Sequence, residues 1–172
     1  MRDEERMSGQ TNEKTFEVQV EETLLSEGGW HSGSNAEWDV ERALFPKMIF
    51  AFLKETQPKI WAEMRALHGT ELESLLINAL IKELNLKGTL HILRHGFKFY
   101  GKTFPLAYFK PAHGLNEEVL ALYKKNQLTL TRQVQCHPSK HDTIDLLFAV
   151  NGLPVATCEL KNPATGQNWR HA

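Results

Sequence analysis

Thr143-Ile-Asp-Leu-Leu-Phe-Ala-Val150, Asn151-Gly-Leu-Pro154 and Val155-Ala-Thr-Cys-Glu-Leu-Lys161 form one continuous stretch. Two apolar runs flank a Gly/Pro turn, which is the pattern of a β-hairpin. Three charges interrupt it: Asp145, Glu159 and Lys161. Taking a carboxylate out of water costs several kcal/mol, roughly 20 in the idealised Born limit, unless something compensates it. Glu159 and Lys161 lie two apart, so on a strand they project from one face. Carboxylates and a lysine on a buried hairpin point to a divalent metal site.

The register of the hairpin decides whether Asp145 joins them. A two-residue Asn151-Gly152 turn is the strongest short hairpin signal. It pairs Val150 with Leu153 and sets Asp145 opposite Cys158, facing away from Glu159. A three-residue turn pairs Val150 with Pro154 and sets Asp145 opposite Glu159. The chemistry therefore predicts that the turn is not the simple two-residue kind, or that a bulge shifts the strand by one.

Working outward, Leu128, Leu130, Val134 and Cys136 alternate with polar residues, the period of a half-buried strand, and Arg132 breaks its apolar face. Strands are thus expected near 127–136, 143–150 and 154–161. Upstream, Phe16, Val20 and Leu24 recur at helical spacing and Gly28-Gly29 stops them. Glu17 lies beside Phe16 on that helix, while Glu21 and Glu22 read as a solvated edge. Residues 1–13 are polar and expected to be a disordered tail. A helix carrying Val40, Leu44, Met48 and Phe52 follows, with Pro46 as a candidate for its true first turn. Lys59 to Leu67 reads as another, and Thr70-Glu-Leu-Glu73 has capping-box spacing before a third. These three helices read as one insertion packed on the sheet. Between Leu90 and Phe109, basic residues alternate with aromatics, either a phosphate-gripping surface or ordinary core aromatics. Leu115 to Lys124 is a short helix. The expected class is α/β, a small mixed β-sheet flanked by helices with a helical insertion.

The 172 residues suffice for one domain with a real core, and the net charge of −1 excludes a bulk polycation. Two cysteines, Cys136 and Cys158, are too few for a zinc cluster; they read either as a disulfide between neighbouring strands or, the expectation, as buried free thiols. The eight histidines read as scattered, with no pair expected at the spacing of a helical zinc motif. No apolar run reaches the roughly 18 residues of a membrane helix, and no signal peptide is evident. A reducing, cytoplasmic setting is the expectation. Trp169 near the end suggests that the chain is a piece of a larger one.

Asp145, thirteen residues, then Glu159-x-Lys161 across a hairpin resembles the PD-(D/E)xK nuclease superfamily. Phe16-Glu17, Leu24-Leu25 and Gly29-Trp30 resemble the opening helix of its restriction-type members, whose extra acidic residue maps to Glu17. The run from Asp145 to Pro163, with Thr165-Gly-Gln167, the helical insertion and Phe109-Lys-Pro111, narrows this. It resembles the N-terminal nuclease domain of the type I restriction enzyme R subunit, from about Thr15 to the end. A Gln-x-x-x-Tyr motif usual after Glu-x-Lys is not reached, and Gln167, in a loop, is not assigned to it.

The resemblance implies a restriction-endonuclease-like domain over 14–172, at the head of a subunit with ATP-driven motor domains. It implies Mg²⁺-dependent endonucleolytic cleavage of double-stranded DNA, a type I site-specific deoxyribonuclease working with methyltransferase and specificity subunits. ATP would be used by the motor domains and not bound here. Asp145, Glu159 and the backbone carbonyl of Leu160 would ligate Mg²⁺, which favours oxygen donors and keeps several waters. Lys161 would position the attacking water and offset developing charge. Glu17 would hold a metal-bound water or a second ion. The alternatives are a surface Glu159–Lys161 ion pair on an edge strand, a stand-alone restriction-type nuclease, or a DNA-binding or docking module with a vestigial site.

Overall fold

The computed structural model describes residues 2–112 and 116–160, with side chains from Lys14 onward. In chain order the elements are α1 (Arg2–Ser26), β1 (His31–Ser32), α2 (Pro46–Thr56), α3 (Pro58–His68), α4 (Leu72–Lys87), α5 (Thr89–His95), β2 (Phe97–Phe99), β3 (Lys102–Phe104), α6 (Glu117–Lys124), β4 (Leu128–Gln135), β5 (Thr143–Val150) and β6 (Leu153–Cys158). The main sheet has the order β1-β4-β5-β6. β1 runs parallel to β4 and the other neighbours are antiparallel. The molecule is therefore mixed α/β, with β2 and β3 as a separate two-stranded sheet.

Several boundaries differ from the sequence expectation for physical reasons. α1 is helical backbone from Arg2, including most of the 1–13 stretch for which a disordered tail is the sequence expectation. That stretch lacks an apolar stripe but is rich in Glu, Arg, Met and Gln, all good helix formers. α2 begins at Pro46 and not near Val40, because Asp39 and Leu44 close a tight loop (Asp39 N–H to Leu44 O, 2.9 Å). Proline at a first helical position gives up only an N–H that has no helical partner. The Thr70 capping box does not form: Gly69–Glu71 is a 3₁₀ turn and α4 starts without a side-chain cap. Glu73 instead accepts from Lys54 at 2.9 Å and Arg65 at 3.0 Å, tying α4 to α2 and α3.

The core has two parts. The larger lies among α2 to α5, β2 and β3, and Leu153 of β6 reaches into it. Phe97, Phe99 and Phe104 are buried there, so the aromatics between Leu90 and Phe109 serve mainly the core while Lys98 faces water. The smaller joins Phe45, Val134, Leu147 and Ala149 under Trp38 and Met48. Just past α1, Trp30 meets Phe148 edge-on, with ring centroids 5.1 Å apart. Both cysteines are free, but Cys136 is exposed and Cys158 half-buried, which corrects the buried thiols expected. Among the described residues no helix is long and apolar enough to cross a membrane.

Candidate active site

Asn151 and Gly152 both have positive φ, 53° and 86°. That is the two-residue turn whose twist suits a hairpin. Val150 accordingly pairs with Leu153, and Ala149 with Pro154. The register then shifts: Phe148 pairs with Ala156, Leu147 with Thr157 and Leu146 with Cys158. Val155 is the extra residue of a β-bulge. The turn is the simple kind after all, and the bulge supplies the one-residue shift. The ladder's last pair is Leu146 with Cys158, and Asp145 and Glu159 are the next residue on each strand.

β6 leaves the ladder after Cys158, short of the 161 expected. The Leu160 N–H is taken by a side chain, donating to Asp145 Oδ2 at 2.6 Å. Lys161 lies outside the described residues. So do Gln167 and Trp169.

The other Asp145 oxygen leads to α1. Gln133 Nε2 donates to Asp145 Oδ1 at 3.1 Å and to Glu17 Oε2 at 2.9 Å. Its Oε1 accepts from Thr143 Oγ1 at 2.8 Å, which fixes the amide's orientation. Glu17 is buried, 3 % exposed, and its Oε1 accepts from Arg132 Nε at 2.5 Å. Arg132 Nη1 also donates to Glu21 Oε2 at 2.9 Å. Glu21 is thus an ion-pair partner, and the solvated edge expected for it is corrected. The carboxylates accepting from Arg132, Glu17 first and then Glu21, push its pKa above the ordinary arginine value against a smaller effect of burial. A cation so held offsets the burial of Glu17.

Arg132 and Gln133 are neighbours in β4, where alternation should send them to opposite faces. Both reach Glu17, because Gln133 has a φ of 50°. Val134 consequently packs with Leu147 and Ala149 although its ladder partner is Ile144.

Two carboxylates and a main-chain carbonyl are hard oxygen donors of the kind Mg²⁺ takes, with most of its shell left to water. Each Asp145 oxygen accepts one hydrogen bond and retains a second lone pair. The donor set fits such an ion. Among the described residues no three His, Cys, Asp or Glu converge as a ready-made metal cage, so Glu17 does not complete one with Asp145 and Glu159. His91 and His95 do stand one turn apart on α5, with ring centroids 4.6 Å apart. Sequence reading passed over that spacing.

Residues 10–172 match the family described as type I restriction enzyme R protein N terminus. The chain belongs to that family. No curated protein and no solved structure matches it. The family match starts inside α1 and spans every candidate residue from Glu17 to Lys161. Sequence reasoning missed two members of the hydrogen-bonded chain, Gln133 and Thr143. Arg132 was visible as a charge on an apolar strand face, the signal of a buried counter-ion. Gln133 gave none, because its role depends on a backbone angle.

Proposed function

We propose that this domain cleaves double-stranded DNA endonucleolytically with Mg²⁺ held by Asp145, Glu159 and the Leu160 carbonyl. It would be the restriction-endonuclease-like nuclease of a type I restriction complex in the cytoplasm, alongside methyltransferase and specificity subunits and an ATP-driven motor. The observation that carries this reading is the bulge at Val155, which sets Leu146 opposite Cys158 despite a two-residue turn and so makes Asp145 and Glu159 the next residues on the two strands. Membership of the R protein N-terminal family supports it independently.

Bound metal would supply a more acidic water and charge to offset the phosphate. The chain's own residues do the positioning. Gln133 and the Leu160 N–H hold the two Asp145 oxygens, so that carboxylate has one orientation. Lys161, two residues past Glu159, would orient the attacking water and stabilise charge growing on the phosphate oxygens. Glu17 reaches the site through Gln133 and would hold a water of the ion's shell on its remaining lone pairs.

The test is nicking of supercoiled plasmid by the full subunit with its partners, with and without Mg²⁺. Lys161→Ala and Asp145→Ala should each abolish nicking while ATP-driven translocation continues. Nicking that survives either substitution, or chelation of the metal, overturns the proposal.

A further inference from the structure

We propose that Gln133 is a positioning residue for the metal site, held in a left-handed conformation so that one amide can bridge Glu17 and Asp145. This rests on the nuclease reading above and deepens it.

A left-handed, non-glycine residue costs roughly 1–3 kcal/mol and persists only where its surroundings enforce it. Register does not require it at Gln133. Arg132 pairs with Leu146 before it and Val134 with Ile144 after it, in one register with no residue inserted, and only Gln133 and Asp145 between them leave the ladder. What the conformation achieves is side-chain placement. In extended backbone Gln133 would project to the face opposite Arg132. At a φ of 50° it stands with Arg132 beside α1, and its single NH₂ donates to both carboxylates.

Glu17 is held by Arg132 and Asp145 by the Leu160 N–H, and the Gln133 amide ties the two carboxylates to each other. An amide between them supplies both with a donor and adds no charge. Thr143 prevents the amide from flipping and presenting its oxygen to Asp145. With the Leu160 N–H on the other oxygen, Asp145 has lost its rotation before any ion arrives. Pre-ordering a ligand in this way removes part of the entropic cost of binding.

The experiment compares Gln133→Gly and Gln133→Asn with the unsubstituted chain, following Mn²⁺ binding by calorimetry and thermal unfolding in its absence. Glycine adopts the left-handed angle without strain. If Gln133 only supports the fold, any loss of metal affinity should track a loss of stability. If it positions Asp145, Gln133→Gly should keep or raise the melting temperature yet weaken Mn²⁺ about tenfold. Asparagine keeps an amide and tolerates the angle but is one methylene too short to span both carboxylates, so Gln133→Asn should weaken Mn²⁺ as well. Unchanged Mn²⁺ affinity in both variants overturns the inference, as does a loss of affinity seen only together with destabilisation. Asp145→Asn separates the two proposals. If it binds Mn²⁺ as well as the parent, or the parent binds none, the nuclease reading fails and takes this one with it. If Asp145→Asn loses binding while both Gln133 variants keep it, only the role of Gln133 falls.

Discussion

Asn151 is 1 % exposed, and every polar atom of its side chain is used. Its Oδ1 accepts from Gln127 N at 2.7 Å, and its Nδ2 donates to Leu106 O at 2.8 Å and Asn126 Oδ1 at 3.0 Å. It also carries the positive φ that opens the turn. Asn151→Ala strands the Gln127 N–H and the Leu106 carbonyl, while Asn126 Oδ1 keeps the Tyr108 N–H, and replaces a residue that tolerates the left-handed angle with one that resists it. We expect a loss of about 2–4 kcal/mol, measured by urea unfolding, from orphaned buried groups plus backbone strain. Arg132 offers a contrasting case. Its pKa, raised by Glu17 and Glu21, lies above its unfolded value, so its contribution is complete below the unfolded pKa and fades only as pH rises through the folded one. The pair should therefore hold constant across the neutral range as far as Arg132 is concerned. Arg132→Ala leaves Glu17 charged, buried and without its cation, and should cost about 2–4 kcal/mol. The guanidinium is partly solvated, which places this below a fully buried pair. Glu17→Gln in the same background should recover part of the loss, and no recovery would mean that the guanidinium matters for packing alone.

At the scale of elements, the β5–β6 hairpin shows how one residue governs a site several positions away. Deleting Val155 would remove the bulge and still leave Phe148 opposite Ala156 and Leu146 opposite Cys158, with Asp145 and Glu159 next on the two strands. Inserting an alanine after Thr157 would instead set Cys158 opposite Asp145 and turn Glu159 to the other side of the sheet. Val155 is exposed, so its side chain contributes little to the core. Both variants should keep their far-ultraviolet circular dichroism, but the deletion should keep Mn²⁺ binding and the insertion lose it. Retained binding in the insertion variant would show that the ion does not depend on Asp145 and Glu159 sharing a face. The hairpin also marks the limit of what sequence discloses. Its strands, its turn residues and the conflict between turn and chemistry were all legible, because period-two patterning and Asn-Gly are local signals. The place of the bulge was not, since Val155-Ala-Thr reads as uninterrupted strand. The same holds for β1, whose two residues pair in parallel with β4 and carry no pattern of their own. The Thr70 capping box failed for a related reason: the spacing was right, but a 3₁₀ turn left no extended residue to serve as the cap.

For the whole molecule, the question is how the helical insertion communicates with the sheet that carries the site. Helix periodicity announced α2 to α4, and Pro46 and Pro58 marked where two of them begin. Nothing local announced the seam between them and the hairpin, which depends on contacts made across about a hundred residues of chain. Gly152 O accepts from Phe45 N at 3.0 Å, and Leu153, 1 % exposed, enters the helical core directly after it. A β-carbon on Gly152 would lie 2.7 Å from Phe45 O, 2.9 Å from Met48 Cβ and 3.0 Å from Ile49 Cγ1, at a φ of 86°. Backbone oxygen cannot move aside as a flexible side chain can, so Gly152→Ala must push the start of α2 away from the turn. We expect a destabilisation of roughly 2–4 kcal/mol from overpacking and strain together. If sheet and insertion are one cooperative unit, that loss appears as a single transition at lower urea. Tryptophan fluorescence, with Trp61 in the helical core and Trp38 under the sheet, should then coincide with circular dichroism. Two separated transitions would mean that the helices fold as a unit apart from the main sheet, and that Gly152 is a contact between two bodies and not a seam within one.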